Sequence, residues 1–413
     1  MIQIAPGPVA GRLRAPASKS HAQRVLIAAC LAEGTSRILN PGRSADVLAC
    51  LSVIQALGAQ VEDLGQTLLI RGGGSPASDV LHCGESGFCL RSTSAVAALY
   101  DRPLTLEGHG SLATRPVDMV VDALRQFGVR VETRGGCPPV TIQGPLRGGR
   151  AVVDGSSSSQ FLSGLLLALP RAKGDSELEV QRLRSGPYVR MTLDVLRAFG
   201  LQAEASPDLS SFRIPGNQAY RATTVDVEGD WSGAAFLLVA GAIAGDVTVE
   251  GLLAHSAQAD RAILEALEAA GAKPTWEEGA VRVRQAELRG FEFDATDCPD
   301  LFPPLAALAC HCIGTTRILG VDRLKHKESD RAAALIKELG ALGAVIQVRG
   351  NGLEIIGGPL RGSTLDSHND HRIAMAGAVV ALRSRTGAVI EGEGCVAKSY
   401  PEFFEHLSRL QQR

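Results

Sequence analysis

The sequence predicts an α/β (α+β) protein of two domains, and three observations lead to that fold class. The chain has 413 residues, enough for roughly two to four domains of ordinary size. A helical pattern ending in glycine recurs about every 71 residues. Each recurrence is followed by two short stretches that alternate between polar and apolar residues, as strands do. Repetition on this scale is typical of proteins assembled from copies of one structural unit.

The repeat is clearest at five glycines that each follow a helical pattern. Successive members lie 70, 72, 71 and 72 residues apart, and they are Gly58, Gly128, Gly200, Gly271 and Gly343. Glycine is favoured directly after a helix because the closing residue often adopts a left-handed conformation that other residues resist. We therefore expect each of these glycines to end a helix.

The first unit illustrates the predicted order of elements. It contains an apolar helix, a strand, a second helix and two alternating strands. These elements cover residues 25–31, 36–39, 45–57, 59–62 and 67–71, in that order. The other units follow the same order, so the sequence predicts several small sheets, each accompanied by helices.

A sixth unit begins near Ala374 and runs out at Arg413 before its closing strands. The strand-like residues 1–14 are expected to supply them. This pairing places residues 1–14 and 228–413 in one domain and residues 15–227 in the other. The two crossovers would form a hinge, and the cleft between two such domains is a preferred place for a ligand.

Composition and charge exclude several classes of protein. The formal net charge is −2, from 42 Lys and Arg against 44 Asp and Glu, which does not indicate a nucleic-acid or membrane-surface binder. The nine cysteines form no C-x-x-C pair, so we expect buried thiols in a reducing cytosol rather than a zinc site or disulfides. There is no signal-peptide pattern, and apolar stretches such as residues 236–243 are too short to cross a bilayer.

Six groups of polar residues stand at or just before predicted helices. They lie at residues 17–24, 84–93, 113–116, 154–160, 323–331, and 368–372 with 397–401. Free N–H groups at helix N-termini attract anions, and the Lys and Arg side chains add positive charge. Each segment alone is equally well explained as a capped helix with solvated side chains. Because they recur at corresponding places in the repeats, together they predict one electropositive cleft.

Five short motifs occur in a fixed order along the whole chain. They are P-x-S-K-S-x-x-x-R, D-G-S-x-S-S-Q-F, K-E-S-D-R, N-D-H-R-x-A-M and A-K-S-Y-P. This ordered set resembles that of the EPSP synthase family. The resemblance implies an enolpyruvate transferase-like, two-domain inside-out α/β barrel of six βαβαββ repeats, three per domain. It implies transfer of the enolpyruvyl group of phosphoenolpyruvate to the 5-hydroxyl of shikimate 3-phosphate by addition and elimination, in aromatic amino acid (chorismate) biosynthesis. It implies no metal and no organic cofactor, and we expect a cytoplasmic monomer without nucleic-acid or membrane partners.

The resemblance also assigns residues to roles. Shikimate 3-phosphate would be held by Lys19, Ser20, Arg24, Ser158, Ser159, Gln160, Ser185, Tyr188, Asp300 and Lys327. Phosphoenolpyruvate would be held by Lys19, Gly87, Arg115, Gln160, Arg331, Arg372 and Lys398. The catalytic residues would be Lys19, Asp300, Glu328 and Lys327. Asp300 would accept the hydroxyl proton, and Glu328 would exchange a proton with the methylene carbon. The domain of residues 15–227 would mainly serve shikimate 3-phosphate, and the other domain phosphoenolpyruvate.

Two positions depart from the family pattern beside the expected phosphoenolpyruvate pocket. Glu85 stands where the family usually has Asn, and Phe88 is bulkier than the frequent Thr. A carboxylate there would repel the substrate unless it points away or pairs with a cation such as Arg91. Sensitivity to glyphosate, which overlaps phosphoenolpyruvate in this family, is therefore open. Arg323 stands where some members have Asn near the 3-phosphate, and it would add charge or face solvent.

Two other functions remain open from the sequence. The UDP-N-acetylglucosamine enolpyruvyl transferases share an Arg-Pro-Val-Asp segment like residues 115–118, but they carry a reactive Cys in the preceding loop. Residues 108–114 contain no Cys. The other alternative is a non-catalytic anion-binding homologue, against which the presence of Lys19, Asp300 and Glu328 argues.

Overall fold

The structure is a computed structural model that describes residues 1–156, 158–325 and 327–412. It has mixed α/β content and divides into two compact units. One unit consists of Met1–Pro16 with Glu228–Arg413, and the other of Ala17–Val227. Among the described residues, no helix combines the length and the apolar character needed to span a membrane.

The elements are numbered in chain order over the described residues. The helices are α1 (Lys19–Leu31), α2 (Ala45–Ala56), α3 (Gly87–Ala97), α4 (Asp118–Gln126), α5 (Gln160–Ala168), α6 (Gly186–Ala198), α7 (Trp231–Ala244), α8 (Ile263–Ala269), α9 (Phe302–Ala309), α10 (Arg331–Ala341), α11 (His371–Ala381) and α12 (Phe403–Gln411). The strands are β1 (Ile2–Ile4), β2 (Val9–Arg14), β3 (Thr35–Leu39), β4 (Gln60–Asp63), β5 (Thr67–Arg71), β6 (Val80–His82), β7 (Leu104–Glu107), β8 (Arg130–Arg134), β9 (Cys137–Gln143), β10 (Arg150–Asp154), β11 (Ser176–Gln181), β12 (Glu204–Ala205), β13 (Ser211–Ile214), β14 (Thr224–Asp226), β15 (Gly245–Glu250), β16 (Thr275–Glu277), β17 (Ala280–Arg284), β18 (Glu292–Asp294), β19 (Thr315–Leu319), β20 (Val345–Arg349), β21 (Gly352–Ile356), β22 (Ser363–Asp366) and β23 (Ala388–Glu391). Short 3-10 helices cover Gly110–Thr114, Leu169–Arg171, Ala259–Ala262, Pro299–Leu301, Val321–Leu324 and Glu393–Lys398.

The described part of the unit Ala17–Val227 contains three four-stranded sheets of one design. Their strand orders are β14-β3-β5-β4, β6-β7-β9-β8 and β10-β11-β13-β12. In each sheet the first pair is parallel and the other two pairs are antiparallel. A parallel pair requires a crossover connection, and α3 and α5 are the crossover helices of the second and third sheets.

The other unit, as far as it is described, has two four-stranded sheets and one three-stranded sheet. Their orders are β16-β17-β15-β2, β18-β19-β21-β20 and β1-β23-β22. The first strands of the chain complete two of them: β2 pairs in parallel with β15, and β1 pairs antiparallel with β23, with Ile2 opposite Ile390. Each of the six sheets is open at both edges in the described residues, so none closes on itself as a barrel.

Four helices are buried along their whole length. Every residue of α3, α7, α9 and α11 is buried. Their sequences consist largely of small and apolar residues, and a helix without a polar face is stable only inside a core. Adjacent strands such as β3 and β19 alternate between buried and exposed residues, so the sheets cover the helices on the outside.

Helices α3 and α5 run parallel at very close range. A Cβ on Gly164 of α5 would lie 2.6 Å from the carbonyl oxygen of Ser92 on α3. Gly87 and Gln160, the first residues of the two helices, are also neighbours. The first residues of the two helices are neighbours, and so are residues one turn further on, so the helices run in the same direction. Their N-termini lie side by side, and the positive ends of the two helix dipoles add to each other.

The elements predicted in the first unit are confirmed, with one difference at the first helix. Helix α1 begins at Lys19, six residues before the predicted start, because Ser18 caps it by accepting a hydrogen bond from the N–H of His21. The prediction for the repeat glycines is also confirmed. Gly58, Gly128, Gly200, Gly271 and Gly343 have φ values of 99°, 74°, 80°, 97° and 105°. All nine cysteines are free thiols, and seven of them are buried.

Candidate active site

The N-termini of α1 and α3 are joined by hydrogen bonds that place several predicted residues. Ser86 caps α3 by accepting from the N–H of Cys89 at 3.3 Å, and its hydroxyl donates to Oε1 of Gln23 on α1 at 2.9 Å. Gln23 in turn donates to the carbonyl of Lys19 at 3.3 Å. Ser86 and Gln23 are buried, so these bonds are shielded from water and fix the two helix ends together.

Gly87 lies where three polar side chains converge. A Cβ on Gly87 would lie 3.0 Å from Nη1 of Arg91, 3.3 Å from Nη1 of Arg115 and 3.6 Å from Oε1 of Gln160. Arg91 donates to Oε1 of Gln160 at 2.8 Å and to the carbonyl of Pro116 at 3.3 Å. The structure therefore brings the predicted residues Gly87, Arg115 and Gln160 together. It also adds Arg91, which the sequence suggested only as a possible partner of Glu85.

Arg24 is a buried cation held by neutral partners. Its Nε donates to Oγ1 of Thr192 at 2.9 Å, and its Nη2 donates to Oγ of Ser163 and the carbonyl of Tyr188, both at 3.2 Å. Nη1 donates to the carbonyl of Ser20 at 2.7 Å. Burial lowers the pKa of Arg24 to about 9, with the charge of Tyr188 acting in the opposite direction. The guanidinium is still charged at neutral pH and is well placed to receive an anion.

The departure at Phe88 has a structural explanation. The guanidinium carbon of Arg24 lies 4.3 Å from the centroid of the Phe88 ring and 5.9 Å from that of Tyr188. A cation over an aromatic face is stabilised by the ring quadrupole, most strongly where water is excluded. Phe88 is buried and thus stabilises a cation whose hydrogen-bond partners among the described residues are neutral.

Lys19 is paired with a carboxylate that the sequence did not identify. Its Nζ lies 2.8 Å from Oδ2 of Asp46, and both side chains are largely buried. Asp46 stands in the first turn of α2, where the helix dipole favours a negative charge. The pair fixes Lys19 at the N-terminus of α1.

The predicted hydroxyl groups lie at the starts of α5 and α6. Ser159 precedes α5, and the hydroxyl of Ser158 accepts from the N–H of Gln160 at 3.2 Å. Ser185 precedes α6 in a left-handed conformation with φ 59°, and Tyr188 lies in the first turn. Lys327, which the resemblance assigned to the same phosphate, belongs to the other unit.

In the unit that contains the C-terminus, Arg331 is the centre of a charged cluster. It begins α10 and is 1% exposed. Its Nε donates to Oδ2 of Asp370 at 2.8 Å, its Nη1 to Oδ1 of Asp300 at 2.6 Å, and its Nη2 to Oε2 of Glu328 at 2.7 Å. Burial opposes the charge, but these three carboxylates outweigh it and raise the pKa of Arg331.

Asp300 is the carboxylate that joins the predicted cations. Its oxygens lie 2.6 Å from Arg331, 3.1 Å from Nη2 of Arg372 and 3.5 Å from Nζ of Lys327. Nζ of Lys398 lies 3.9 Å from Oε1 of Glu328, which is bonded to Arg331. All six predicted residues of this unit are therefore close together.

The cations of this cluster differ in how fully their charge is satisfied. Nε and Nη1 of Arg372 are buried and have no hydrogen-bond partner among the described residues. Burial opposes the charge of Arg372, but the carboxylates of Asp300, Asp260 and Asp230 together outweigh it and raise the pKa of Arg372. Burial lowers the pKa of Lys327, with Asp300 opposing. A phosphate or carboxylate could accept hydrogen bonds from these two N–H groups of Arg372 and balance its positive charge.

Two further carboxylates of this unit were not among the site residues predicted from the sequence. Asp370 is fully buried, caps α11 by accepting from the N–H of Arg372, and accepts a hydrogen bond from Ser329. Asp260 is fully buried and is hydrogen-bonded to the hydroxyl of Ser232. Burial and then the charge of Asp300 raise the pKa of Asp260 to about 7. No group of three or more His, Cys, Asp or Glu suited to a metal ion occurs among the described residues.

Comparison with known proteins identifies relatives of the whole chain. A model of the family described as EPSP synthase (3-phosphoshikimate 1-carboxyvinyltransferase) matches residues 4–407. A 3-phosphoshikimate 1-carboxyvinyltransferase of Aeropyrum pernix is 41% identical over 414 residues, covering 100% of this chain and 96% of the relative. One of Methanocorpusculum labreanum is 37% identical over 409 residues, covering 97% and 96%. A solved structure of EPSP synthase from Acinetobacter baumannii has a TM-score of 0.83 at 28% identity, covering 99% of this chain and 98% of that one.

Proposed function

The chain belongs to the EPSP synthase family, and from this premise we propose how its residues carry out the reaction of that family. It transfers the enolpyruvyl group of phosphoenolpyruvate to shikimate 3-phosphate, in aromatic amino acid biosynthesis. This finding decides against an acceptor of the UDP-N-acetylglucosamine type. The assignments of individual residues are our proposal, and the contacts around Asp300 are the observation that carries it.

Phosphoenolpyruvate is bound by cations from both units. In one unit Arg115 lies with Gln160 at Gly87, and we add Arg91 to this set. In the other unit Arg331, Arg372 and Lys398 lie around Asp300 and Glu328. Arg372 supports the assignment most directly, because its two unsatisfied donors can take up a carboxylate or phosphate. Lys19, at the start of α1, contacts both substrates.

Shikimate 3-phosphate is bound mainly by the unit Ala17–Val227. Arg24 and Ser20 hold its carboxylate and a hydroxyl, since Arg24 is a buried cation with neutral partners. Its phosphate accepts hydrogen bonds from hydroxyl groups at the starts of α5 and α6, aided by the helix dipoles, and from Lys327. These hydroxyl groups belong to Ser158, Ser159, Ser185 and Tyr188. Gln160 lies against the ring.

The chemistry requires a base at the attacking oxygen and an acid at carbon. Asp300 takes the proton of the 5-hydroxyl while the oxygen bonds to C2 of phosphoenolpyruvate. Glu328, with Lys327 nearby, gives a proton to C3, which completes a tetrahedral intermediate. In the second step phosphate leaves C2, Glu328 recovers a proton from C3, and the proton on Asp300 goes to the leaving phosphate. Asp300 and Glu328 both end in the protonation state in which they began, because the hydroxyl proton leaves with the phosphate, so no further reactant is needed.

Several finer features belong to the same proposal. The 71-residue glycine spacing, together with one strand order in five sheets, supports six βαβαββ repeats, three per domain, in an inside-out arrangement with helices within and sheets outside. The domains are residues 15–227 and residues 1–14 with 228–413. The enzyme is a cytoplasmic monomer that works without a metal or organic cofactor.

Phosphate release with both substrates tests the assignment of Asp300. We expect Asp300→Asn to lower kcat by about 10²- to 10⁴-fold, as loss of a general base does, and Arg372→Lys to raise KM for phosphoenolpyruvate. Glu292→Gln is the matched control, because Glu292 is an exposed carboxylate of the same unit. An Asp300→Asn enzyme with near wild-type kcat would refute the role of Asp300.

A further inference from the structure

The carboxylate of Glu85 is engaged by the turn that leads to Arg115. Its Oε2 accepts hydrogen bonds from the N–H and the hydroxyl of Ser111, at 3.3 Å and 3.1 Å. Ser111 lies in the 3-10 helix Gly110–Thr114, which ends directly before Arg115. Nδ1 of His109 lies 3.9 Å from Oε1 of Glu85.

The turn is shaped to receive this carboxylate. Gly110 has φ 55°, and a Cβ there would lie 2.4 Å from the carboxyl carbon and Oε1 of Glu85. No residue with a side chain fits this place without moving Glu85. Beside it, the N–H of His109 donates to the carbonyl of Gly84 at 2.9 Å. A backbone hydrogen bond and the hydrogen bonds of the Glu85 carboxylate therefore connect the same two segments, residues 84–85 and 109–111.

Both of these segments are followed closely in sequence by residues that lie together at Gly87. Gly87 follows Glu85 by two residues, and Arg115 follows Ser111 by four. The N–H of Arg115 donates to the carbonyl of Leu112 at 3.1 Å, and Leu112 is fully buried. The turn is thus a short, anchored connection, and a shift at Ser111 would be passed to the guanidinium of Arg115. Displacement of a binding group by about 1 Å is enough to weaken binding and catalysis strongly.

We propose that Glu85 is a positioning residue, which fixes the turn before Arg115 and thereby sets the affinity for phosphoenolpyruvate. This proposal rests on the assignment of Arg115 to phosphoenolpyruvate made above. From the sequence, an acid at this position was expected to repel the substrate unless it points away or pairs with a cation such as Arg91; its bonds to Ser111 favour a positioning role instead. Two guanidinium groups, those of Arg91 and Arg115, lie at Gly87, so the local charge remains positive with Glu85 ionised.

Steady-state kinetics separate positioning from repulsion, because the two predict opposite signs. If Glu85 positions the turn, Glu85→Ala raises KM for phosphoenolpyruvate about tenfold, equal to about 1.4 kcal/mol, with KM for shikimate 3-phosphate unchanged. Glu85→Asn has the same effect because its shorter side chain does not reach Ser111. Glu85→Gln and Ser111→Ala each raise KM about threefold, since each keeps part of the contact. If Glu85 repels the substrate, every substitution of Glu85 lowers KM and Ser111→Ala changes nothing.

A double substitution and two controls complete the test. Glu85→Ala combined with Ser111→Ala should equal Glu85→Ala alone, because both remove one contact. Glu107→Gln removes an exposed carboxylate from the neighbouring strand β7 and should leave KM unchanged. Hydrogen exchange of residues 108–115 should quicken in Glu85→Ala.

The outcomes distinguish this proposal from the assignment on which it rests. If Arg115→Lys raises KM for phosphoenolpyruvate while Glu85→Ala leaves it unchanged or lowers it, the role of Glu85 is refuted and the role of Arg115 stands. If Arg115→Lys has no effect on KM, both are refuted.

Discussion

Replacement of Asp370 by Asn tests how strongly the charged cluster depends on a buried carboxylate. Asp370 is fully buried and accepts the Nε hydrogen bond of Arg331, which is 1% exposed, at 2.8 Å. It also caps α11 through the N–H of Arg372. Asn is as good a helix cap as Asp and nearly the same size. Asp370→Asn therefore removes the charge and leaves the cap in place.

The expected cost follows from what remains around Arg331. Breaking a buried ion pair on one side costs about 3–5 kcal/mol, because the other charge stays buried without compensation. Asp300 and Glu328 still contact the guanidinium, and both are more exposed than Asp370. Since part of the compensation survives, we expect the lower end of the range, a loss of about 3 kcal/mol in the free energy of unfolding.

Urea denaturation followed by tryptophan fluorescence can measure this loss. The two tryptophans of the chain, Trp231 and Trp276, lie in the same unit as Asp370, with ring centroids 5.9 Å apart. With a urea dependence of about 2 kcal/mol per M, 3 kcal/mol corresponds to a midpoint lower by about 1.5 M. Glu292→Gln breaks an exposed pair with Arg317 in this unit and should cost less than about 1 kcal/mol. Equal midpoints for the two variants would refute the reasoning.

Three further predictions concern single contacts. Phe88→Leu should weaken shikimate 3-phosphate binding about 5- to 30-fold, since a desolvated cation–π contact with Arg24 contributes about 1–2 kcal/mol; an unchanged KM for this substrate would contradict it. Asp260 keeps a proton up to a pKa of about 7 in the folded state against 3.8 ordinarily, so the wild type should lose unfolding free energy as pH rises from about 4 to 7. Asp260→Asn should abolish that loss, which is at most about 4 kcal/mol. Urea titrations at pH 5 and pH 8 measure it, and the same change in unfolding free energy for the wild type and the variant would contradict the prediction. Gly58→Ala should destabilise by more than about 2 kcal/mol, because φ is +99° and the new Cβ would lie 2.1 Å from the carbonyl oxygen of Ser75; thermal melting would show no change if the backbone can adjust.

The sequence was most informative where local chemistry decides the structure. The repeat glycines identified helix ends because the left-handed conformation is a property of the residue itself. Ser18, which stands directly before α1, is of a residue type that favours helix N-termini, and its hydroxyl accepts a hydrogen bond from the N–H of His21. The start of α1 was predicted too late because its first turn, from Lys19, carries polar residues that contact other helices. The spacing of apolar residues cannot locate a helical turn whose buried side chains are polar.

The hydrogen-bond and ion-pair partners of the site residues could not be predicted from the neighbouring sequence. Asp46 lies 27 residues from Lys19, and Asp370 lies 39 from Arg331, so only the fold reveals these pairs. Arg91 follows Gly87 by one helical turn, which was visible in the sequence. Its contact with Gln160, 69 residues away, depends on the close approach of α3 and α5. The expectation for Glu85 left repulsion, a side chain that points away and an ion pair open, because the position of the turn at Ser111 does not follow from the sequence.

The pairing of β1 with β23 has a consequence for how the protein is made on the ribosome. Ile2 and Ile390 leave the ribosome about 20–80 s apart at a synthesis rate of about 5–20 residues per second. During that interval the continuous segment Ala17–Val227 can acquire its own structure and β2 can pair with β15, whereas β1 waits without its partner strand. Nascent chains that stall before residue 388 would carry a permanently open sheet edge, the kind of surface on which chains associate wrongly.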